Sequence, residues 1–200
     1  MRERTCTAQT ALHGGLLERA VGFALTAVQA VTPQMLTRPT PCEHWDLHML
    51  LLHVRDSLEA LHEGMSRGHV ETVPSQRAPV DDPVSALRVQ AVRVLKASAA
   101  RGTVAIGDRR LAGGLMVVTG ALEVAVHGWD ISQAAGEGRP IPPGLADELL
   151  KIGPLVVPEV RGPLFAGPVD PGPRAGPGDR LVAFLGRRPP AGPGGGPVTP

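Results

Sequence analysis

The stretch ALEVAVHGWD, residues 121–130, decides how this chain is expected to fold. Glu123 and His127 are four residues apart, so on a helix their side chains lie on one face, one turn apart. Apolar residues surround the pair along residues 115–131, which is typical of a helix buried among other helices. A buried carboxylate without a partner is costly, so the sequence predicts that Glu123 has one.

Outward from this stretch, hydrophobic periodicity and end signals predict a mainly helical chain. The predicted long helices cover residues 8–31, a segment from the N-cap Asp46 to about Gly64, a segment from Asp82-Pro83 to about Ala100, and residues 115–135 with Gly136 as C-cap. Shorter helices are predicted at residues 144–152 and, with Asp179 as cap, at residues 179–186. Residues 103–106 are predicted to form a strand or an extended link. Four long helices with such links predict an all-α helical bundle.

The length predicts one domain with some additional chain. The 25 Gly and 21 Pro residues concentrate after residue 138, so residues 138–187 are expected to wrap over the bundle. Residues 188–200 are rich in Pro and Gly and are predicted to be a disordered tail. The predicted folded unit is therefore residues 8–187.

Composition argues against several classes of partner. With 20 basic and 19 acidic residues the chain offers no basic stripe for nucleic acid or a membrane surface. No apolar run approaches the roughly 20 residues that cross a bilayer. The start of the chain, Met1 to Cys6, leads into no secretory signal, and Cys6 and Cys42 form no metal-type pair. A cytoplasmic protein with reduced thiols is expected, and Cys42 is expected to serve in packing of the loop, with a reactive thiol as the alternative.

His53 is the candidate partner for the Glu123/His127 pair. It lies in the apolar run LLLHV, residues 50–54, beside the predicted buried stripe of its helix. Facing helices of a bundle point side chains into a shared interior, so His53, Glu123 and His127 are predicted to hold a metal ion. Three protein ligands leave a coordination position open, as in catalytic metal sites. Asp130 is expected to accept a hydrogen bond from the ligand histidine or to anchor the loop before Trp45.

The spacing alone has a commoner explanation. Glu and His four apart usually form a surface pair worth about 0.2–0.5 kcal/mol, and a single His on an apolar face is usually a satisfied core residue. Burial favours the metal hypothesis, because solvent cannot satisfy Glu123 between two apolar segments. The ligand set suits zinc, nickel, iron or manganese.

Two motifs in this order resemble a known family. TPCEHW (40–45) followed by LLLHV (50–54) resembles T-P-C-x-x-W…L-x-x-H-V, and EVAVHGWD (123–130) followed by AAG (134–136) resembles E-x-x-x-H-x-W-D-x-x-x-A-x-G. They are similar to the metal-binding domain of mycothiol-dependent maleylpyruvate isomerase and related actinobacterial proteins of the DinB-like superfamily. The ending, GPLF (162–165) and DRLVAFLGR (179–187), looks like that of the short, single-domain branch.

This resemblance covers about residues 8–187 and implies a DinB-like four-helix bundle with a short C-terminal extension. It implies a divalent metal, typically zinc, held by His53, Glu123 and His127. It further implies a small thiol, mycothiol or a similar compound, which the metal activates for addition to an electrophilic substrate. The chain departs from the family in lacking the isomerase's second domain, in its Pro/Gly-rich tail and in carrying His44 where a small residue is usual.

Three functions are therefore weighed. The first is a thiol-dependent transferase or isomerase acting on a small electrophile. The second is a thiol-independent metal enzyme of a biosynthetic pathway, a cyclase or hydrolase. The third is a non-catalytic metal-binding bundle, including a homodimer.

Overall fold

The computed structural model describes residues 2–71, 80–97, 102–159, 161 and 166–190, with side chains described at His13 and from Gly15 onward. Within these residues the chain is mostly helical. The helices are α1 (Arg2–Val28), α2 (Leu47–Arg67), α3 (Pro83–Lys96), α4 (Gly113–Ala135), α5 (Pro143–Val156) and α6 (Pro177–Phe184), with a 3-10 turn at Pro33–Met35. A small sheet joins β1 (His69–Val70), β2 (Thr103–Ile106) and β3 (Arg109–Ala112) in that order.

The sheet corrects the all-α prediction. β2 pairs with β3 as an antiparallel hairpin and with β1 in parallel. The strand alternative at residues 103–106 is confirmed, whereas β1 and β3 were not predicted. Two residues are too few to show alternation, and RRLA in β3 is too polar at its start to read as a strand.

Three predicted ends of the long helices are confirmed. The Asp46 carboxylate accepts a hydrogen bond from the Met49 N–H at 2.8 Å, and the Asp82 carboxylate accepts one from the Ser85 N–H at 3.0 Å. Gly136 ends α4 with a φ of 83°, a left-handed conformation that glycine adopts without strain.

Other predicted boundaries are corrected. α1 begins at Arg2 and ends at Val28, and α2 continues to Arg67. α3 ends at Lys96, α4 begins at Gly113, and α5 continues to Val156. The last helix begins at Pro177 after the N-cap Gly176, so Asp179 lies in its first turn instead of capping it. Ala100 and most of the predicted tail, residues 191–200, lie outside the described residues.

The core forms where α1 packs along α4 and where α2 packs against both α3 and α4. α5 packs on α6 and on α4. α4 is buried around most of its circumference, as its composition predicts. The described chain is thus a mostly helical protein with a small sheet, and the DinB-like four-helix arrangement stays a prediction. No helix in the described ranges combines the length and apolar character needed to cross a membrane.

Candidate metal centre

Two imidazoles and one carboxylate from α2 and α4 converge on one point. Glu123 Oε1 lies 2.7 Å from His53 Nε2 and 3.2 Å from His127 Nε2. The three ligand-type atoms lie within 4.8 Å of one another. The structure therefore brings together the three residues that the sequence singles out as metal ligands.

Glycines bring the two helices close enough for this meeting. A Cβ atom at Gly120 of α4 would overlap the Leu61 side chain of α2, and one at Gly64 of α2 would overlap the Met116 side chain of α4. Because neither glycine has a side chain, the α2 and α4 backbones approach closely along this contact. His53 and Glu123 bridge the same interface nearer the start of α2.

The site has an open side and a closed side. The side chains of His53 and Glu123 are 35% and 36% exposed, whereas that of His127 is 8% exposed. The convergence point is therefore partly exposed on the side of His53 and Glu123, while His127 is held in the interior. Glu123 is only partly buried, which corrects the expectation that solvent cannot reach it.

Asp130 holds His127 from its inner side. Its carboxylate is 0% exposed, and Oδ2 lies 2.9 Å from His127 Nδ1. An ionised carboxylate can only accept a hydrogen bond, so the imidazole carries a proton on Nδ1. Nε2 therefore faces His53 and Glu123. This contact is the one expected for Asp130, and its role in a metal site stays a prediction.

Sequence reasoning missed two further residues beside Asp130. Arg187, which follows α6, donates from Nη2 to Asp130 Oδ2 at 2.9 Å and from Nε to Oδ1 at 3.3 Å. The Cys42 thiol lies 3.2 Å from Asp130 Oδ2, 3.3 Å from Arg187 Nη2 and 3.7 Å from His127 Nδ1. Cys42 thus belongs to a polar cluster, not only to loop packing as expected. Its position in TPCEHW is the one sequence signal that points there.

Cys42, His127 and Asp130 also have the spacing of a metal-binding group. Here the guanidinium of Arg187 already contacts both Asp130 Oδ2 and Cys42 Sγ. Its positive charge lies where a second cation would compete for the same atoms. The His53/Glu123/His127 group is therefore the better candidate centre.

Charges in the cluster are strongly coupled. Burial favours neutral Glu123, but hydrogen bonds from His127 and His53 outweigh it and hold the pKa of Glu123 far below its usual range. Burial likewise disfavours charge on His127, yet hydrogen bonds to Asp130, Cys42 and Glu123 raise its pKa well above its ordinary value. The pKa of Asp130 is lowered, because His127 and Arg187 outweigh its burial.

The loop before α2 forms a wall of the site. The centroid of the Trp45 ring lies 4.7 Å from that of the His53 ring, in an edge-on arrangement. It lies 6.3 Å from the centroid of the His127 ring, in a stacked arrangement. Arg38 fastens this loop to the end of α4 by donating to the carbonyls of Ala134 and Ala135 at 3.3 Å. His44 has a φ of 67°, a left-handed conformation that side chains rarely adopt. Glycine, which has no Cβ, would adopt this backbone conformation without strain.

Fold and site together define a mostly helical protein with a partly open His/Glu/His donor set. The chain belongs to the family of the mycothiol maleylpyruvate isomerase N-terminal domain, whose sequence profile matches residues 17–132. That match contains Cys42, His53, Glu123, His127 and Asp130, and it confirms the family resemblance that the two motifs indicated.

Two relatives extend the likeness beyond the profile. They are uncharacterized proteins of Mycobacterium tuberculosis, from two strains, each 32% identical over 181 residues. Each alignment covers 85% of this chain and 94% of the relative. No solved structure matches the chain.

Proposed function

We propose that this protein is a divalent-metal-dependent enzyme that activates a low-molecular-weight thiol of the mycothiol type and uses it to transfer or isomerise a small electrophile. The observation that carries the proposal is the convergence of His53, Glu123 and His127 at a point open on one side. The family's name, which joins mycothiol to an isomerase, supports the thiol and the reaction class.

The three side chains fit a divalent metal. Imidazole nitrogen and carboxylate oxygen are ordinary zinc ligands, and donor atoms around a tetrahedral zinc lie about 3.3 Å apart. The observed separation of 3.2 Å between His127 and Glu123 matches that value, and the 2.7 Å separation between His53 and Glu123 is a hydrogen-bond distance that a bound metal would lengthen. We propose zinc as the metal, with His53, Glu123 and His127 as its ligands.

Each neighbouring residue has a definite part in this proposal. A bound divalent cation supplies Lewis acidity, which lowers the pKa of a thiol or a water molecule that it meets. Asp130 fixes the proton of His127 on Nδ1 and so leaves Nε2 free to ligate. Exposure of His53 and Glu123 leaves the approach for the thiol and substrate, and Trp45 packs beside both imidazoles and restricts water on that side.

The proposal extends to the architecture. We take residues 8–187 as one DinB-like domain in which α1 to α4 form the four-helix bundle. Residues 138–187 wrap over it, and residues 188–200 lie outside the folded unit. The pairings of α1 with α4 and of α2 with α3 and α4 support this arrangement.

Elemental analysis of untagged protein tests the metal site. We expect about one zinc per chain in the wild type and none in His53→Ala, because two remaining ligands bind too weakly to survive purification. His62→Ala is the matched control, since His62 lies on the same helix but outside the three-residue group. Absence of metal from the wild type after incubation with zinc would overturn the proposal.

Calorimetric titration of the zinc-loaded protein with mycothiol tests the thiol. Binding that disappears in His53→Ala supports the proposed function. Turnover that is indifferent to thiols would instead indicate the thiol-independent enzyme. A metal with no exchangeable water and no turnover would indicate a non-catalytic bundle.

A further inference from the structure

We propose that Arg187 is a positioning residue for His127, acting through Asp130, and that the segment after α6 is therefore part of the metal centre. This inference rests on the proposed function, because it concerns the same site. It extends beyond the family match, which ends at residue 132 and leaves Arg187 unassigned.

Arg187 sets the orientation of a buried carboxylate. Asp130 is completely buried, and the guanidinium contacts both of its oxygens, at 2.9 Å and 3.3 Å. A planar guanidinium that hydrogen-bonds to both oxygens restricts rotation of the carboxylate about its Cβ–Cγ bond. Oδ2 is thereby kept pointing at His127 Nδ1, 2.9 Å away.

The arginine also neutralises Asp130. Its side chain is only 16% exposed, so its charge and that of the carboxylate are poorly screened by solvent. Without Arg187, the side-chain partners of the Asp130 charge among the described residues would be the His127 imidazole and the Cys42 thiol. A buried charge left in that state is unfavourable, and the carboxylate would turn or attract water.

Further contacts link this arginine to other elements. Nη1 donates to the Leu185 carbonyl at 3.1 Å, which fixes the guanidinium to the end of α6. Nη2 contacts Cys42 Sγ at 3.3 Å, which joins it to the loop before α2. One side chain therefore connects the C-terminal segment, the Cys42 loop and the His127 face of α4.

The test compares zinc affinity, measured by competition with a chromophoric chelator, in untagged wild type, Arg187→Met and Arg187→Lys. We expect Arg187→Met to weaken zinc binding about tenfold or more, the usual effect of losing a group that orients a ligand histidine. Lysine keeps the positive charge but cannot form the bidentate contact with both carboxylate oxygens. Arg187→Lys should therefore lose less zinc affinity than Arg187→Met, but more than none.

Arg161→Met is the matched control. Arg161 holds the same C-terminal helix by donating to the carbonyls of Phe184 and Ala166 and by stacking on the Phe184 ring. Within the described part of the chain, its hydrogen bonds and ring contact go to Ala166 and Phe184 and not to Asp130 or His127. We expect wild-type zinc affinity in Arg161→Met, whereas a loss equal to that of Arg187→Met would mean general loosening and would overturn the proposal.

Two readouts separate positioning from stability. The visible absorption of the cobalt-substituted protein, which reports ligand geometry, should change in Arg187→Met and stay unchanged in Arg161→Met. In the metal-free protein, the Nδ1–H proton of His127 should exchange with solvent faster in Arg187→Met, as followed by NMR. If Arg187→Met has the same cobalt spectrum, Nδ1–H exchange rate and zinc affinity as the wild type, the inference is overturned.

Asp130→Asn provides a second, independent check. Because Arg187 acts through Asp130, adding Arg187→Met to Asp130→Asn should lower zinc affinity little further. The double variant removes both buried charges, so it also remains informative if Arg187→Met alone folds poorly. If wild type binds zinc and these variants bind equally well, only the positioning role fails; if wild type binds no zinc, the proposed function itself fails.

Discussion

His127 has two nitrogens that face different partners, and this division defines its chemistry. Nε2 lies 3.2 Å from Glu123 in the accessible part of the site, and Nδ1 lies 2.9 Å from the fully buried Asp130. The residue therefore joins a partly exposed donor set to a largely buried ion-pair cluster. The protonation state of His127 should then govern how readily the site accepts a cation.

As the pH is lowered, zinc affinity should begin to fall at a pH above the ordinary histidine pKa of about 6.5. A metal must displace the Nε2 proton of His127 to bind there. Burial lowers the pKa of His127, but hydrogen bonds to Asp130, Cys42 and Glu123 outweigh burial and raise that pKa. Affinity should be constant above that raised pKa and drop about tenfold per pH unit below it. Because the pKa of Glu123 is lowered, its carboxylate stays ionised and adds no second step.

Competition titrations between about pH 6 and pH 8.5 would measure this profile around the histidine range. Asp130→Asn should move the midpoint down, since the neutral amide no longer stabilises the charged imidazole. A wild-type midpoint at or below the ordinary value would contradict the assigned hydrogen bonds.

At the scale of elements, the close packing of α1 against α4 determines the position of His127 in the site. Gly128 follows His127 directly, and a Cβ there would lie 3.0 Å from Ala24 Cα and 3.1 Å from Ala24 Cβ. Backbone atoms cannot move aside as a flexible side chain can. The place of His127 in the site therefore depends on how closely α1 and α4 pack.

Gly128→Ala should destabilise the fold by about 1 kcal/mol. Overpacking costs about 1–3 kcal/mol, and the better helix propensity of alanine returns about 0.5–1 kcal/mol. Gly22→Ala is the matched control, because Gly22 lies within α1 with nothing within 4 Å of an added Cβ. It should stabilise by about 0.5–1 kcal/mol, and urea unfolding would measure both. Equal stabilisation by the two substitutions would refute the close contact.

At the scale of the whole molecule, the site is assembled from four separate parts of the chain. The loop before α2 contributes Cys42, α2 contributes His53, α4 contributes Glu123 and His127, and the C-terminal segment contributes Arg187. A cation bound there would tie these parts together only in the folded chain. Metal binding should therefore be linked to global stability.

Zinc at about 100 times its dissociation constant should stabilise the protein by about 2.7 kcal/mol. For a chain of this size that corresponds to a rise in Tm of about 5–10 °C, measurable by calorimetry. His53→Ala should show no such rise, and magnesium should not replace zinc because it prefers oxygen ligands. An equal rise with zinc in His53→Ala would place the binding elsewhere.

Local signals in the sequence were enough for most helices and for the face shared by Glu123 and His127. Helical period and capping residues act within a few positions, so Asp46, Asp82 and Gly136 mark ends that the structure confirms. The same period puts Glu123 and His127 one turn apart, and the apolar run around His53 marks a helix that must be buried.

Only the tertiary structure determined which residues far apart in the sequence come into contact. Arg187 and Cys42 are 145 residues apart, and Arg187 and Asp130 are 57 apart, so no local pattern relates them. The exposure of Val89, Val92 and Leu95 on α3, despite their apolar character, likewise depends on which face α2 covers. Periodicity and capping are short-range and can be read from neighbouring residues, whereas the pairing of buried charges follows from how whole helices pack.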